Sequence, residues 1–347
     1  MLPAIFHLTD QSTAMNIGLF LVSGVGIAIL GTRLTGLGDA LADRTGLGEA
    51  FVGAVFLGAC TSLPGITASV TAALDGFASM AIANAIGGIA VQTTFLILAD
   101  LTYPKANLEH AAASVPNMLQ GALLITLLGL LLVAMVGPQL AIFSFHPITP
   151  LLFIGYGMGQ HLIRRSHAHP MWQPRMTSST NTDQPDKESQ RYTLQRLWCE
   201  FIAIGALLVL AGLIITRAAE TIGCRMGLTE SLVGGLMIAI TTSLPELVIS
   251  LAAIRQGALT LAVGGVLGGN AFDTLFAAVA DIAYRPGSIY AAISDREITM
   301  VALTIVMNGV LLLGLLSRER RGPANIGFEG ALVLVLYGIG VLILRYG

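Results

Sequence analysis

The sequence predicts an all-α integral membrane protein with ten transmembrane helices, arranged as two inverted repeats of five helices. Apolar residues make up 54% of the 347 residues, and charged residues make up only 11%. A soluble domain carries roughly 25% charged residues. Ten stretches are apolar and long enough to cross a bilayer, which takes about 20 residues. In addition, the two halves of the chain resemble each other.

The predicted spans lie on both sides of one polar stretch. They cover residues 16–33, 47–73, 78–99, 111–136, 139–162, 199–217, 229–253, 258–281, 298–316 and 327–345. The polar stretch, from Arg164 to Arg196, is rich in Ser, Thr, Asn and Asp, a composition typical of a solvated linker. We therefore divide the chain into a first repeat (1–163), a linker (164–197) and a second repeat (198–347).

The distribution of Lys and Arg predicts the orientation in the cell membrane. With the N-terminus outside, 13 of the 18 Lys and Arg residues face the cytoplasm, as the positive-inside rule requires. The other five are Arg217, Arg225, Arg285, Arg296 and Arg345. Both termini are thus predicted outside, and the linker is predicted to be cytoplasmic.

A shift of 181 residues aligns 39–104 with 220–285 without a gap, and about a third of the pairs are identical. Thr61-Ser62-Leu63-Pro64 then meets Thr242-Ser243-Leu244-Pro245. Because each half has an odd number of spans, the second half must be inverted relative to the first. Inverted repeats are typical of secondary transporters, whose sites lie near the bilayer midplane. An old duplication without a transport role is the alternative.

Both Thr-Ser-Leu-Pro stretches lie in the middle of a span. Proline removes a backbone N–H and clashes with the carbonyl four residues earlier, so we predict helix breaks at Pro64, Gly65 and Pro245. Free carbonyls and hydroxyls would supply the oxygen ligands that hard cations prefer. The alternative is a simple proline kink patched by the hydroxyls. The hydroxyl groups concerned are those of Thr61, Ser62, Thr242 and Ser243.

Two acids, Glu246 and Asp273, also lie in mid-span. A charge at the bilayer centre costs about 3 kcal/mol or more, so such residues usually mark an ion path. Because no Lys, Arg or His lies in mid-span beside them, they require a cation or protons. We predict Glu246 and Asp273 as the metal ligands; the alternative is a permanently protonated structural pair.

These motifs resemble those of the calcium/cation antiporter superfamily, the sodium/calcium exchanger group. Each repeat of that family has a Thr-Ser-x-Pro-Glu stretch and, 27 residues after the Glu, an Asn or Asp. The second repeat matches this pattern with Glu246 and Asp273. The resemblance implies that Thr242, Ser243, Glu246 and Asp273 bind cations.

The first repeat departs from the family pattern. Gly65 stands in place of the family's Glu, and Gln92 stands in place of its Asn or Asp. Gly88 and Gly269 replace the serines of the Gly-Ser-Asn motif. One acid and two hydroxyls are therefore missing, and the site would equally suit calcium, a monovalent ion or protons. The predicted cation-binding set is Glu246, Asp273, Thr242, Ser243, Thr61, Ser62 and Gln92.

The resemblance implies a secondary cation antiporter with alternating access. It would move calcium or another metal cation in exchange for sodium or protons. We expect no cofactor other than these transported cations, and no catalytic residue, because no nucleophile and base pair occurs within the spans. The expected partners are the lipid bilayer and small inorganic cations rather than nucleic acid. The alternative is a non-transporting or sensing membrane protein that kept the fold but lost calcium exchange.

Overall fold

The computed structural model describes residues 12–138, 140–141, 144–175, 177, 180, 193–226, 233–320, 322 and 326–346. The helices, in chain order, are α1 (Thr13–Thr45), α2 (Glu49–Leu74), α3 (Ala78–Asp100), α4 (Leu108–Ala111), α5 (Val115–Val136), α6 (Ile148–Ala168), α7 (Leu194–Arg225), α8 (Ala239–Thr242), α9 (Leu244–Gln256), α10 (Leu259–Ala283), α11 (Asp295–Ser317) and α12 (Phe328–Tyr346). A π-helical turn, Val233–Ile238, precedes α8, and a 3-10 turn, Ile289–Ala291, follows α10.

The predicted fold class is confirmed. Eight of the described helices are long and apolar enough to cross a membrane, and the bent pair of α8 and α9 makes a ninth. The tenth helix, α6, is less apolar than the other nine. Its 21 residues nevertheless extend about 31 Å, which matches a hydrocarbon core of about 30 Å. The spans fall into two halves of five.

Several spans differ in length from the sequence prediction. The first, predicted at 16–33, begins at Thr13 and continues to Thr45, since no proline interrupts it after Arg33, and it ends at Gly46 in the left-handed conformation. The sixth, predicted at 199–217, is the 32-residue α7. The fifth, predicted at 139–162, begins only at Ile148. The polar linker is shortened at both ends by α6 and α7, and most of its remainder lies outside the described residues.

The centre of the bundle is formed by α3 and α10, in which 89% and 83% of the residues of the 18-residue apolar stretch are buried, whereas the same share in α1 is only 22%. Glycines let α2 approach α10 closely. A Cβ at Gly53 would lie 3.0 Å from the Gly265 nitrogen, and one at Gly58 would lie 3.1 Å from the Gly269 Cα. The best-matched segments of the two repeats therefore meet backbone to backbone at the centre.

The repeat symmetry extends to single hydrogen bonds. Asp100, the last residue of α3, accepts a hydrogen bond from the Leu108 N–H at 2.6 Å. Asp281 near the end of α10 accepts one from the Ile289 N–H at 2.8 Å. Both pairs are related by the 181-residue shift. These matched acids hold the connections that leave the central helices.

The connections define two ends of the molecule. At the linker end, His110 Nδ1 lies 2.7 Å from the Arg318 carbonyl oxygen, and His110 Nε2 lies 2.8 Å from the linker residue Thr177. At the terminal end, Arg225 Nη1 donates to Thr13 Oγ1 at 3.0 Å. The linker and the α11–α12 connection thus lie at one end, and the start of α1 lies at the other, as ten alternating spans require.

A buried acid stands at the linker end. Glu109 in α4 is only 2% exposed, and its Oε2 has no hydrogen-bond partner among the described residues. Burial, followed by the charges of Asp100 and Glu329, raises the pKa of Glu109 to about 8. The folded protein therefore keeps a proton there that the unfolded chain releases at lower pH.

We expect the protein to lose stability as pH rises from about 5 to about 8. Across this range the folded protein still binds the Glu109 proton while the unfolded chain has released it, so a rise in pH favours unfolding. Glu109→Gln should reduce the loss, since the amide stays neutral. The measurement is the melting temperature in detergent at about pH 6 and pH 9, with Asp295→Asn, an exposed acid, as the control. A Glu109→Gln variant with an unreduced loss would place its origin elsewhere.

Candidate cation site

Matched π-helical turns precede both Thr-Ser-Leu-Pro motifs. One covers Gly53–Leu57 within α2, and the other covers Val233–Ile238 before α8. These segments differ by the 181-residue shift. Such turns are rare and occur frequently at functional sites. The sequence analysis missed them, and the only signal available was the match of Val52-Gly53 with Val233-Gly234.

The first predicted helix break is wrong, because α2 runs on through Pro64 and Gly65. Proline at position 64 removes the donor for the Cys60 carbonyl, and side chains support the neighbouring turns: Thr61 Oγ1 donates to the Gly58 carbonyl at 3.0 Å, and Asn84 Nδ2 donates to the Gly65 carbonyl at 3.1 Å. Support from hydroxyl side chains and neighbouring helices lets a membrane helix continue through a proline.

In the second repeat the helix does break. It breaks at Ser243, where α8 and α9 meet at 40°, and Pro245 lies in the first turn of α9. The two motifs are therefore equivalent in sequence but not in backbone conformation.

The polar centre between the repeats is organised around Asp273 of α10, which is 1% exposed. Ser62 Oγ of α2 donates to its Oδ1 at 2.5 Å, and Gln92 Nε2 of α3 donates to its Oδ2 at 2.7 Å. The same Gln92 nitrogen lies 3.4 Å from Ser243 Oγ. The structure thus brings these four predicted site residues together, and both oxygens of Asp273 already have donors.

Glu246 of α9 is placed differently. It is 7% exposed, and its Oε2 has no hydrogen-bond partner in the described part of the chain. It lies between two cavities of about 10 Å³ each, close to the space that one water molecule needs. Thr61 lines the first cavity. Thr242, Gln92 and Asp273 line the second.

Three residues that line the second cavity each carry a buried oxygen without a donor. These oxygens are Glu246 Oε2, Gln92 Oε1 and Asn84 Oδ1, for which the described residues offer no hydrogen-bond partner. Leaving a buried acceptor unpaired costs about 1–3 kcal/mol, so three around one cavity indicate a bound donor or cation. No described Lys, Arg or His lines the cavity, and oxygen ligands alone suit a hard cation. The sequence analysis missed Asn84. The signal for it was a polar amide side chain within an otherwise apolar span.

The arrangement limits how many charges a cation could meet. Among the described residues, no three His, Cys, Asp or Glu side chains are grouped so as to hold a metal ion. A bound cation would therefore meet at most the two acids, Glu246 and Asp273, and neutral oxygens otherwise.

The surroundings of three glycines, two in the first repeat and one in the second, show which of the family's missing groups the site has room for. A Cβ at Gly65 would lie 2.5 Å from Phe276 Cε2, so this ring fills the space beside the position of the family's Glu. By contrast, a Cβ at Gly88 would lie 3.8 Å from Ser243 Oγ, and one at Gly269 would lie 3.9 Å from Gln92 Oε1. The missing hydroxyls could be restored without a clash, whereas an acid at position 65 requires Phe276 to move.

Ten helices in two inverted halves around an oxygen-lined polar centre define a multi-pass membrane protein of the inverted-repeat class. The family model described as sodium/calcium exchanger protein matches residues 15–155 and 196–346. The chain therefore belongs to the sodium/calcium exchanger family.

Relatives match nearly the whole chain. The putative antiporter CaxA of Alkalimonas amylolytica is 27% identical over 305 residues, 86% of this chain and 89% of that protein. An uncharacterized membrane protein of Methanocaldococcus jannaschii is 26% identical over 94% of this chain and 100% of its own length. The fold is similar to that of the sodium-calcium exchanger NCX_Mj, with a TM-score of 0.68 at 18% identity, covering 95% of this chain and 99% of that one.

Gly88→Ser should tighten cation binding by roughly threefold to tenfold, because it adds a hydroxyl oxygen to the shell at a position with room for a Cβ. The measurement is the sodium or calcium concentration that gives half of the maximal thermal stabilisation in detergent. Gly129→Ser is the control, since a Cβ there meets open space away from the site. A folded Gly88→Ser variant with unchanged binding would place position 88 outside the shell.

Proposed function

We propose that this protein is a secondary cation antiporter of the cell membrane that moves calcium or another metal cation in exchange for sodium or protons. The observation that carries the proposal is the cavity beside Glu246, which is lined by one carboxylate and two amide side chains whose buried oxygens have no donor among the described residues. Family membership supports the type of reaction. The names of the relatives, an antiporter and a sodium-calcium exchanger, agree with it.

The two acids would have separate roles. Asp273 is occupied by Ser62 and Gln92, so it supplies charge and orients its neighbours. Glu246 would be the main ligand, and the hydroxyls of Thr61, Ser62, Thr242 and Ser243 would complete the shell. Because only one carboxylate has an open oxygen, two different cations would have to use it in turn. Competition for a single carboxylate is a physical basis for exchange rather than joint transport.

The packing supports alternating access. At the terminal end a cavity of about 260 Å³, lined by Asp75 and Phe77, extends inward between α2, α3 and α7. At the linker end another cavity, of about 250 Å³, lies at Glu49, but the contact of Gly53 with Gly265 separates it from Glu246. Transport would require this contact to loosen while the opposite cavity closes.

The orientation follows from the positive-inside rule. The linker end would face the cytoplasm, and the terminal end with both chain termini would face outside. Lipid and small inorganic cations would be the partners, with no resident cofactor and no nucleic acid. A cation-sensing protein without transport is the second candidate, and it is favoured only by the Phe276 ring beside position 65.

Glu246→Gln should abolish cation-coupled flux, with a loss of about a hundredfold or more, because it removes the charge that offsets desolvation of the cation. The measurement is calcium uptake into proteoliposomes driven by a sodium gradient, and separately by a pH gradient. Glu200→Gln, a change at a half-exposed acid paired with Arg196, is the control. Wild-type flux in a folded Glu246→Gln variant would refute the site, and absence of flux in the wild type would favour the sensing protein.

Cation affinity should fall as pH falls, since protonation neutralises the carboxylate that binds the cation. One competing proton weakens cation binding by up to about tenfold per pH unit. The slope of the cation affinity against pH therefore gives the number of protons that Glu246 and Asp273 take up together. The measurement is calcium affinity between about pH 5 and pH 9. An affinity that stays constant over this range would exclude proton competition and leave sodium as the exchanged ion.

A further inference from the structure

Asn84 of α3 lies at the boundary between two spaces. It lines the small cavity shared by Glu246, Gln92 and Asp273, and it also lines the cavity of about 260 Å³ at the terminal end, which we call the vestibule. Among the described residues it is the one that lines both. It therefore stands on the direct line between the vestibule and the cavity at Glu246.

The two polar atoms of the Asn84 side chain are used differently. Its Nδ2 donates to the Gly65 carbonyl at 3.1 Å and to Ser69 Oγ at 2.9 Å, and both bonds connect it to α2. Its Oδ1 has no donor within the described structure, although the residue is only 3% exposed. The amide is thus fixed at its nitrogen, which leaves the oxygen as an unused acceptor beside the site.

We infer that Asn84 supplies the outer oxygen ligand of the cation and is the point where the cation passes between the vestibule and Glu246. The inference rests on the proposed function and extends it to a residue outside the Thr-Ser-Leu-Pro and glycine motifs. A role as a brace alone would use the nitrogen and give no reason to bury the oxygen unpaired, at a cost of about 1–3 kcal/mol.

The charge at position 84 would also set selectivity. A neutral amide oxygen at position 84 leaves Glu246 and Asp273 as the two charged side chains that line the small cavity among the described residues, a total charge that one divalent ion neutralises. An added carboxylate at position 84 would favour a divalent over a monovalent ion, because the attraction scales with the cation's charge. The neutral oxygen would therefore keep sodium able to compete with calcium.

The test compares Asn84→Ala and Asn84→Asp with the wild type by thermal stabilisation in detergent at alkaline pH, using calcium chloride and sodium chloride as probes. Asn84→Ala should weaken the binding of both ions by about tenfold or more, since a ligand is lost. Asn84→Asp should tighten calcium by about tenfold or more and change sodium less. Ser69→Ala is the matched control: it removes a partner of Nδ2 and should lower the melting temperature without changing either ion's half-maximal concentration.

Ala68→Trp provides a second measurement that leaves Asn84 intact. Ala68 lines the vestibule but not the small cavity. An indole there should slow flux from the terminal side, while Glu246 and Asn84 still bind the ion at equilibrium with wild-type affinity.

Several results would overturn the inference. If Asn84→Ala and Asn84→Asp lower the melting temperature as Ser69→Ala does, with ion binding unchanged, then Asn84 is only a brace. Unaltered flux in a folded Ala68→Trp variant would exclude the vestibule as the route. A wild-type protein that responds to neither ion overturns the proposed function itself. Suppose instead that the wild type responds to the ions, that Glu246→Gln removes the response, and that the Asn84 variants bind both ions as the wild type does. This result would overturn the inference about Asn84 but not the proposed function.

Discussion

The architecture depends on one constraint, the burial of Glu246 and Asp273 in a membrane interior where no described basic side chain lines their cavity. A charge there is costly unless it is compensated. Compensation for Asp273 is built into the protein, because Ser62 and Gln92 donate to its two oxygens. Glu246 is compensated less fully, because its Oε2 has no hydrogen-bond donor among the described residues. The second repeat therefore supplies both charges, while the first repeat supplies neutral donors and acceptors.

This division explains how the first repeat could lose its acid. Gly65 and Phe276 form a complementary pair, since the ring occupies the space that any side chain at position 65 would enter. Gln92, in the position where the family has Asn or Asp, donates from its nitrogen to Asp273, while its oxygen has no donor among the described residues. One amide thus stabilises the acid by a hydrogen bond and keeps an oxygen that, in the proposed function, serves as a cation ligand. The two repeats thus have matching helices, but the second repeat carries both acids and the first carries neutral polar side chains.

Much of this could be read from the sequence, and the failures have physical causes. The inverted halves, the two buried acids and the proximity of Ser62, Gln92, Ser243 and Asp273 followed from the 181-residue match and the family spacing. That these residues gather around Asp273 rather than Glu246 was not predicted. The break at Pro64 was wrong because a packed membrane helix can continue through a proline when neighbouring helices and hydroxyl side chains support it. Here Asn84 of another helix bonds the Gly65 carbonyl, and a contact between distant residues leaves no local pattern. The π-helical turns were also missed because they leave no local pattern in the sequence. The full length of α1 was missed because an apolar stretch indicates a span but not where the helix ends.

Backbone contact joins the site to the proposed motion. The π-helical turn Gly53–Leu57 begins at the glycine that touches Gly265 and ends one residue before Gly58, which touches Gly269. Thr61 donates back to the Gly58 carbonyl and lines a cavity with Glu246. A change in the winding of this turn would therefore move the α2–α10 contact and the cavity wall together. Small side chains pack beside these glycines as well, since a Cβ at Gly268 would meet the Ala54 Cβ, so the helices are closely fitted along this surface. In the proposed transport cycle, any change at Glu246 that alters the winding of the π-helical turn would therefore also change the α2–α10 contact toward the linker end.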